Sequence, residues 1–153
     1  MLPSLSEYEL LIYGLPDRYP CIRRSTLVVI RHGPTFAEVV GTIEFEGDVT
    51  LTAWEDLDFA RGIIRGYSYS VNQRGERLYW CDPQPHPDDP SLNSTFPHHR
   101  HTPPDIKRHR VPAPGIAFDQ PNLPGLIEEI ERDLLPRPGR KRTSVRRPTA
   151  QDE

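Results

Sequence analysis

A chain of 153 residues, 35% of them hydrophobic, is long enough for one folded domain and too short for two ordinary ones. No apolar run approaches the roughly 20 residues that a membrane-spanning helix requires, which excludes a helical membrane protein. The net charge of −3 hides a basic C-terminus, because residues 137–153 carry six Lys and Arg against two Asp and Glu. This composition predicts a disordered basic tail over residues 136–153. Since no basic region opens the N-terminus, we expect no secretion signal, no membrane association and a cytoplasmic location.

Two helices are predicted, one near each end of the folded part. Residues 4–15 are amphipathic, with serines that can cap the start, and Gly14 before Pro16 predicts the end. Residues 123–135 place leucine and isoleucine at helical spacing, and Pro136 predicts where this second helix stops. Both apolar stripes are typical of helices that cover a sheet.

The strands begin with a β-branched run over residues 25–31, followed by a hairpin over residues 35–55. A three-residue loop at Glu46–Asp48 sets Ile43 opposite Leu51, so that apolar residues share one face. In this register Glu55 points toward the apolar side at the end of its strand. Because unpaired carboxylates are rarely buried, we expect Glu55 at the hydrated rim; the alternative is a carboxylate held beneath a functional site.

A second hairpin is predicted over residues 63–82, with its turn at residues 72–75. That turn sets Tyr67 opposite Trp80 and Tyr69 opposite Leu78, with Asp82 in phase with the tyrosines. The sequence therefore predicts an α+β fold in which an antiparallel sheet of about five strands is flanked by the two helices. A long proline- and histidine-rich loop follows over residues 83–124.

The segment from Trp80 to His101 holds four of the six histidines, together with three aspartates and five prolines. Proline lacks an amide donor and has a fixed φ, so we expect a rigid extended loop here, not a helix or a central strand. In an extended chain, alternation puts His99 and His101 on one side, and His98 with Arg100 on the other. In a turn, His98 and His101 could instead converge.

Two chemistries suit these side chains, and the residues alone do not separate them. A pair of imidazoles can act as general base and general acid while Arg100 stabilises a pentavalent phosphate, which suits RNA cleavage by the 2′-hydroxyl without a metal. Alternatively, a divalent metal could be held by three histidines and a carboxylate, namely His86, His98 and His101 with Asp82 or Glu55. The third interpretation is a solvated loop without function, and the density of histidines counts against it.

The order of these motifs resembles the TumE family of toxins, over roughly residues 20–135. The most specific part is FPHHRH at Phe96–His101, which is similar to the family's F-P-H-H-K-H. A second family signature, R-Y-D-N-x-P-H-H, aligns with residues 80–87. There Asp82, Pro85 and His86 match, whereas Trp80, Pro83 and Pro87 depart from it.

The resemblance implies the toxin of a type II toxin–antitoxin system, acting on RNA and bound by a cognate antitoxin. We therefore predict a TumE-like toxin domain over residues 1–135 that is a metal-independent ribonuclease without a cofactor. The predicted catalytic residues are His98, His101, His86 and Asp82. Substrate binding is assigned to Arg100 and His99, and to Tyr67 and Tyr69, which could stack a base. Glu55 is expected to hold a histidine tautomer. The alternative is a non-enzymatic module whose loop and tail bind nucleic acid or the antitoxin.

Overall fold

The computed structural model describes residues 1–137, which form two helices and eight strands. Helix α1 spans Leu5–Arg18 and helix α2 spans Leu123–Asp133. The strands are β1 (Ile22–Ser25), β2 (Val28–His32), β3 (Phe36–Phe45), β4 (Val49–Asp58), β5 (Ile63–Gln73), β6 (Glu76–Asp82), β7 (His99–His101) and β8 (Arg110–Pro112). Neither helix in this part of the chain has the length and apolar character needed to cross a membrane. Of the predicted basic tail, residues 138–153 lie outside the described residues.

All eight strands belong to one antiparallel sheet, in the spatial order β1-β3-β4-β5-β6-β7-β8, with β2 also paired to β3. The predicted α+β class with flanking helices is confirmed, but the expected number of about five strands is wrong. The run predicted as one strand over residues 25–31 corresponds mainly to β2, and β1 precedes it as an additional strand on the same edge of β3. The segment predicted as a loop contributes β7 and β8 as well.

The passage from β1 to β2 depends on a glycine in the strand beside it. The Thr26 amide donates to the Thr42 carbonyl at 2.9 Å, which brings the chain close to the backbone of β3. Gly41 lies at this point with a φ of 142°, and a Cβ there would stand 2.6 Å from the Thr26 carbonyl oxygen. Only glycine allows both the backbone angle and the close approach.

Helix α1 begins where the sequence predicts and ends later. The side chains of Ser4 and Glu7 form a capping box, each bonding the other's backbone amide. Gly14 and Pro16 both lie inside the helix, which continues to Arg18. A proline in the last turn removes one helical hydrogen bond, and packing of the apolar stripe on the sheet outweighs that loss.

The first hairpin has the predicted register, with Ile43 opposite Leu51. Its loop contains Gly47 and Asp48 at φ values of 72° and 59°, as a three-residue connection requires. Strand β4 continues to Asp58, so Glu55 lies well inside the strand and is fully buried. The expectation of a rim position for Glu55 is therefore wrong.

The second hairpin has a different register from the predicted one. Arg74 and Gly75 form a two-residue turn with φ values of 51° and 80°, and a bulge interrupts the strand pairing between Val71 and Asn72. As a result Tyr69 pairs with Cys81, not with the predicted leucine. Each slip by one residue exchanges the two faces of a strand.

The corrected register moves Asp82 to the other face of the sheet. Tyr69 and Cys81 point into the core, which lies between this face and the two helices. Trp80 pairs with Ser70 and projects with Asp82 to the opposite face. The prediction that Asp82 lies in phase with the tyrosines is thus wrong, because the bulge was not visible in the residue pattern.

Candidate functional site

The histidine-rich segment contains a strand inside the sheet. Strand β7 pairs with β6 through Trp80–His101 and Asp82–His99, and with β8 on its other edge. The expectation that this segment excludes a central strand is wrong because His99, Arg100 and His101 all retain their amide donors. Their side chains alternate as an extended chain requires, so His99 and His101 share one face.

On that face two imidazoles and one carboxylate converge. The Nε2 atoms of His99 and His101 are 3.0 Å apart. The Asp82 carboxylate lies 3.3 Å from His99 Nε2 through Oδ1 and 3.2 Å from His101 Nε2 through Oδ2. Both histidines are buried, whereas the Asp82 side chain is 20% exposed. The cluster of Asp82, His99 and His101, termed the imidazole–carboxylate cluster below, is therefore reached from the side of Asp82.

Each ring of the cluster is oriented by a backbone carbonyl. His99 Nδ1 lies 3.1 Å from the Pro97 oxygen and His101 Nδ1 lies 2.9 Å from the Ile106 oxygen. Since a carbonyl can only accept, both Nδ1 atoms carry a hydrogen. Burial lowers the pKa of His101; Asp82 opposes that shift and His99 adds to it.

Trp80 completes the support of the cluster. Its indole ring stacks on His101 with centroids 3.7 Å apart, and its Nε1 donates to Asp82 Oδ2 at 2.8 Å. Burial raises the pKa of Asp82, but hydrogen bonds from the Gln84 amide and the Trp80 indole, with the two imidazoles, hold it below its usual range. Asp82 is thus kept as a carboxylate.

Two further residues lie beside the cluster. His86 is half-buried and meets His99 edge to face, with ring centroids 4.8 Å apart. Arg110 pairs with His101 across β7 and β8, so it projects from the same face. Burial lowers the pKa of His86, and the charges of Arg110 and His99 lower it further. Arg110 Nε is buried without a hydrogen-bond partner among the described residues.

His98 lies apart from this cluster, in the tyrosine layer. Its Nδ1 is 2.8 Å from the Tyr67 hydroxyl, and its ring contacts Phe118 with centroids 4.5 Å apart. Burial lowers the pKa of His98, with a smaller contribution from His99. No hydrogen bond or ring contact joins His98 to His101 within residues 1–137. The structure therefore separates the two residues that the sequence paired.

Arg100 also points to the helix side of the sheet. Its guanidinium binds the Glu129 carboxylate on α2 with two hydrogen bonds and lies over the Tyr79 ring, 4.0 Å from the centroid. Burial opposes ionisation of Arg100, but the Glu129 hydrogen bonds outweigh it and raise the pKa of Arg100. The residue predicted to meet phosphate is thus engaged by a carboxylate of the same chain.

Tyr67, Tyr69 and Glu55 belong to the core beneath. The two tyrosine rings stack on each other at 4.8 Å and are almost fully buried, which leaves no free face for a base. The Glu55 carboxylate accepts from the hydroxyls of Tyr69 and Tyr8, each at 2.6 Å. Asn122, before α2, donates to the Tyr69 hydroxyl at 3.1 Å. Glu55 therefore contacts tyrosines, not the histidine it was expected to orient.

Sequence reasoning missed several partners of these groups: Trp80, Arg110, Glu129, Tyr8 and Asn122. Tyr8 and Asn122 lie far along the chain from Glu55, and nothing in the local pattern connects them. The predicted hairpin already placed Trp80 and Asp82 on one face, but not the contacts of Trp80 with Asp82 and His101. Arg110 gave no signal because β8 was assigned to a loop.

The fold and the cluster define a class: a small antiparallel α+β protein that holds a carboxylate against two imidazoles on neighbouring strands. A family model described as Toxin TumE matches residues 15–134. Since the match covers more than half of the chain, this protein belongs to the TumE toxin family, which confirms the resemblance. Searches of curated proteins and of solved structures gave no match.

Proposed function

We propose that this toxin cleaves RNA without a metal cofactor and that the imidazole–carboxylate cluster is the reactive group. One observation carries the proposal, the 3.0 Å contact between the Nε2 atoms of His99 and His101. Because both Nδ1 atoms already donate to carbonyls, a hydrogen bond between the Nε2 atoms needs one additional proton. One ring is then an imidazolium and its neighbour a neutral imidazole, the acid and the base that attack by a 2′-hydroxyl requires.

This assignment keeps part of the predicted set and exchanges the rest. His101 and Asp82 remain, with Asp82 stabilising the imidazolium, and His99 takes the place of His98. Arg110 takes the place of Arg100 as the phosphate-binding group, since it projects beside His101 whereas the Arg100 guanidinium binds Glu129 on the helix side. His86, the more exposed imidazole, contacts RNA as it approaches from the side of Asp82.

A toxin family implies an antitoxin partner, and we expect a cognate antitoxin to block access to the cluster. The cytoplasmic location also stays a prediction. In the non-enzymatic alternative, the proline-rich segment and the tail only bind nucleic acid or the antitoxin. This alternative predicts toxicity while the cellular RNA stays intact.

The test is inducible expression of the wild type and of His99→Gln, His101→Gln, Asp82→Asn and His98→Gln, with growth and RNA integrity followed in each culture. Purified proteins are also incubated with RNA in EDTA. We expect the first three variants to lose cleavage by at least about a hundredfold, the lower end of acid–base contributions. His98→Gln should retain cleavage wherever circular dichroism shows that it folds.

Two outcomes would overturn the assignment. Loss of cleavage in folded His98→Gln, with activity retained in folded His99→Gln, would identify His98 and His101, the pair predicted from the sequence, as the catalytic acid and base. Toxicity retained in the His99→Gln/His101→Gln double variant, with RNA intact, would instead establish the binding module.

A further inference from the structure

The cluster brings two imidazole nitrogens and one carboxylate within 4.8 Å of one another. His99 Nε2 and His101 Nε2 are 3.0 Å apart, and the Asp82 oxygens lie 3.2 and 3.3 Å from them. Each Nδ1 donates to a backbone carbonyl, so in the neutral rings both Nε2 atoms are acceptors. Two buried nitrogen acceptors and a half-buried carboxylate that face one another repel unless a positive species lies between them.

A proton and a metal ion can each neutralise the cluster, but they bind different numbers of its lone pairs. A proton on one Nε2 leaves the other ring and the carboxylate to share a single donor. A metal ion accepts all three lone pairs at once. We infer that Asp82, His99 and His101 bind one divalent transition-metal ion of the zinc type.

The spacing of the two Nε2 atoms and the two carboxylate oxygens fits such an ion. Metal–ligand bonds of about 2.0–2.1 Å place two ligand atoms about 2.9 Å apart at a right angle and about 3.4 Å apart at the tetrahedral angle. The observed separations of 3.0, 3.2 and 3.3 Å fall between those limits. The two imidazole nitrogens and the carboxylate therefore already lie at separations typical of ligands of one ion.

The surroundings supply the outer contacts that metal ligands need. Backbone carbonyls hold both imidazoles by Nδ1, and the Trp80 indole holds the Asp82 carboxylate. Such contacts fix the tautomer and orientation of metal-binding histidines. Two imidazoles favour zinc and its neighbours over magnesium or calcium, which prefer oxygen ligands. Arg110 on the same face also disfavours an ion held by charge alone.

The inference goes beyond RNA cleavage and does not depend on it, because it concerns what the cluster binds. The test uses the full chain after treatment with EDTA and buffer exchange, titrated with zinc chloride by calorimetry. We expect one zinc ion per chain, and at least about tenfold weaker binding in His101→Ala and in Asp82→Asn. The matched control is His32→Ala, which removes an exposed histidine at the end of β2 and should leave affinity unchanged.

A second measurement avoids variants that fail to fold. In ¹⁵N spectra of the wild-type imidazoles, zinc should shift the Nε2 resonances of His99 and His101 and leave those of His32 in place. Equal zinc affinity in the wild type and a folded His99→Ala/His101→Ala variant would overturn the inference, as would unshifted His99 and His101 resonances at saturating zinc. Failure to cut RNA would overturn only the proposed function.

Discussion

Glu55 joins the sheet to both helices, so its replacement tests how the core is held together. Tyr8 on α1 and Tyr69 on β5 donate to its two oxygens, and Asn122 connects Tyr69 to the start of α2. Burial raises the pKa of Glu55, although the two tyrosine hydroxyls oppose that shift. Burial together with Glu55 also raises the pKa values of Tyr8 and Tyr69 well above their ordinary range.

The raised pKa fixes the direction of the pH effect. The folded chain holds the Glu55 proton more tightly than the unfolded chain, whose glutamates titrate near pH 4.3. This contribution to stability is fully present below that pH and is lost as pH rises toward the folded-state pKa. The free energy of unfolding should fall by up to about 1.4 kcal/mol per pH unit over that interval, from this residue alone.

Glu55→Gln removes the titration and keeps polar atoms beside both hydroxyls. We expect the variant to gain stability relative to the wild type as pH rises from 4.5, with a plateau above the folded-state pKa. Glu55→Leu instead leaves two buried tyrosine donors without an acceptor, at about 1–3 kcal/mol each, so it should lose roughly 2–6 kcal/mol.

The measurement is urea unfolding of wild type and variants between pH 4 and pH 9, followed by tryptophan fluorescence. Glu44→Gln is the matched control, because Glu44 lies exposed on β3 and should give a curve parallel to the wild type. A Glu55→Gln curve that is also parallel to the wild type across this range would refute the argument from burial.

Three further predictions concern the backbone and the cluster. Gly41→Ala should lose about 1–3 kcal/mol or more in thermal unfolding, since its φ is strained for other residues and its Cβ would meet Thr26. Gly125→Ala, in the open on α2, should instead gain up to about 1 kcal/mol, and equal effects would contradict the role of Gly41. Trp80→Phe keeps a ring on His101 but loses the donor to Asp82, so zinc titration should show roughly tenfold weaker binding. Unchanged zinc affinity would show that the indole hydrogen bond does not support the metal site. Zinc should suppress RNA cleavage because the ion occupies the two Nε2 atoms that exchange protons, and EDTA should restore cleavage. Cleavage that requires zinc would contradict the metal-free mechanism.

The parts of the fold that the sequence predicts are those governed by local patterns. The capped start of α1 and the register at Ile43 and Leu51 follow from neighbouring residues alone. The second hairpin fails because Arg74 adopts a positive φ that few arginines adopt, and because a bulge gives no compositional signal. The predicted register is wrong by three residues beyond the bulge, and because this is an odd number it placed Asp82 on the wrong face.

The candidate site shows the same limit. The density of histidines identifies the segment, and alternation correctly groups His99 with His101. Their third partner, Asp82, depends on how β6 pairs with β7, which is a contact across 17 or more residues. The general rule that carboxylates are exposed predicts a hydrated Glu55. Glu55 is buried instead because it accepts hydrogen bonds from two tyrosines, which lie on other elements of the fold.

Strand β7 has one further property that follows from its alternation. Arg100 forms an ion pair with Glu129 on α2, while its neighbours His99 and His101 belong to the cluster on the opposite face. The ion pair therefore connects α2 to the same short strand that carries both imidazoles, from the side of the sheet that the imidazoles do not occupy.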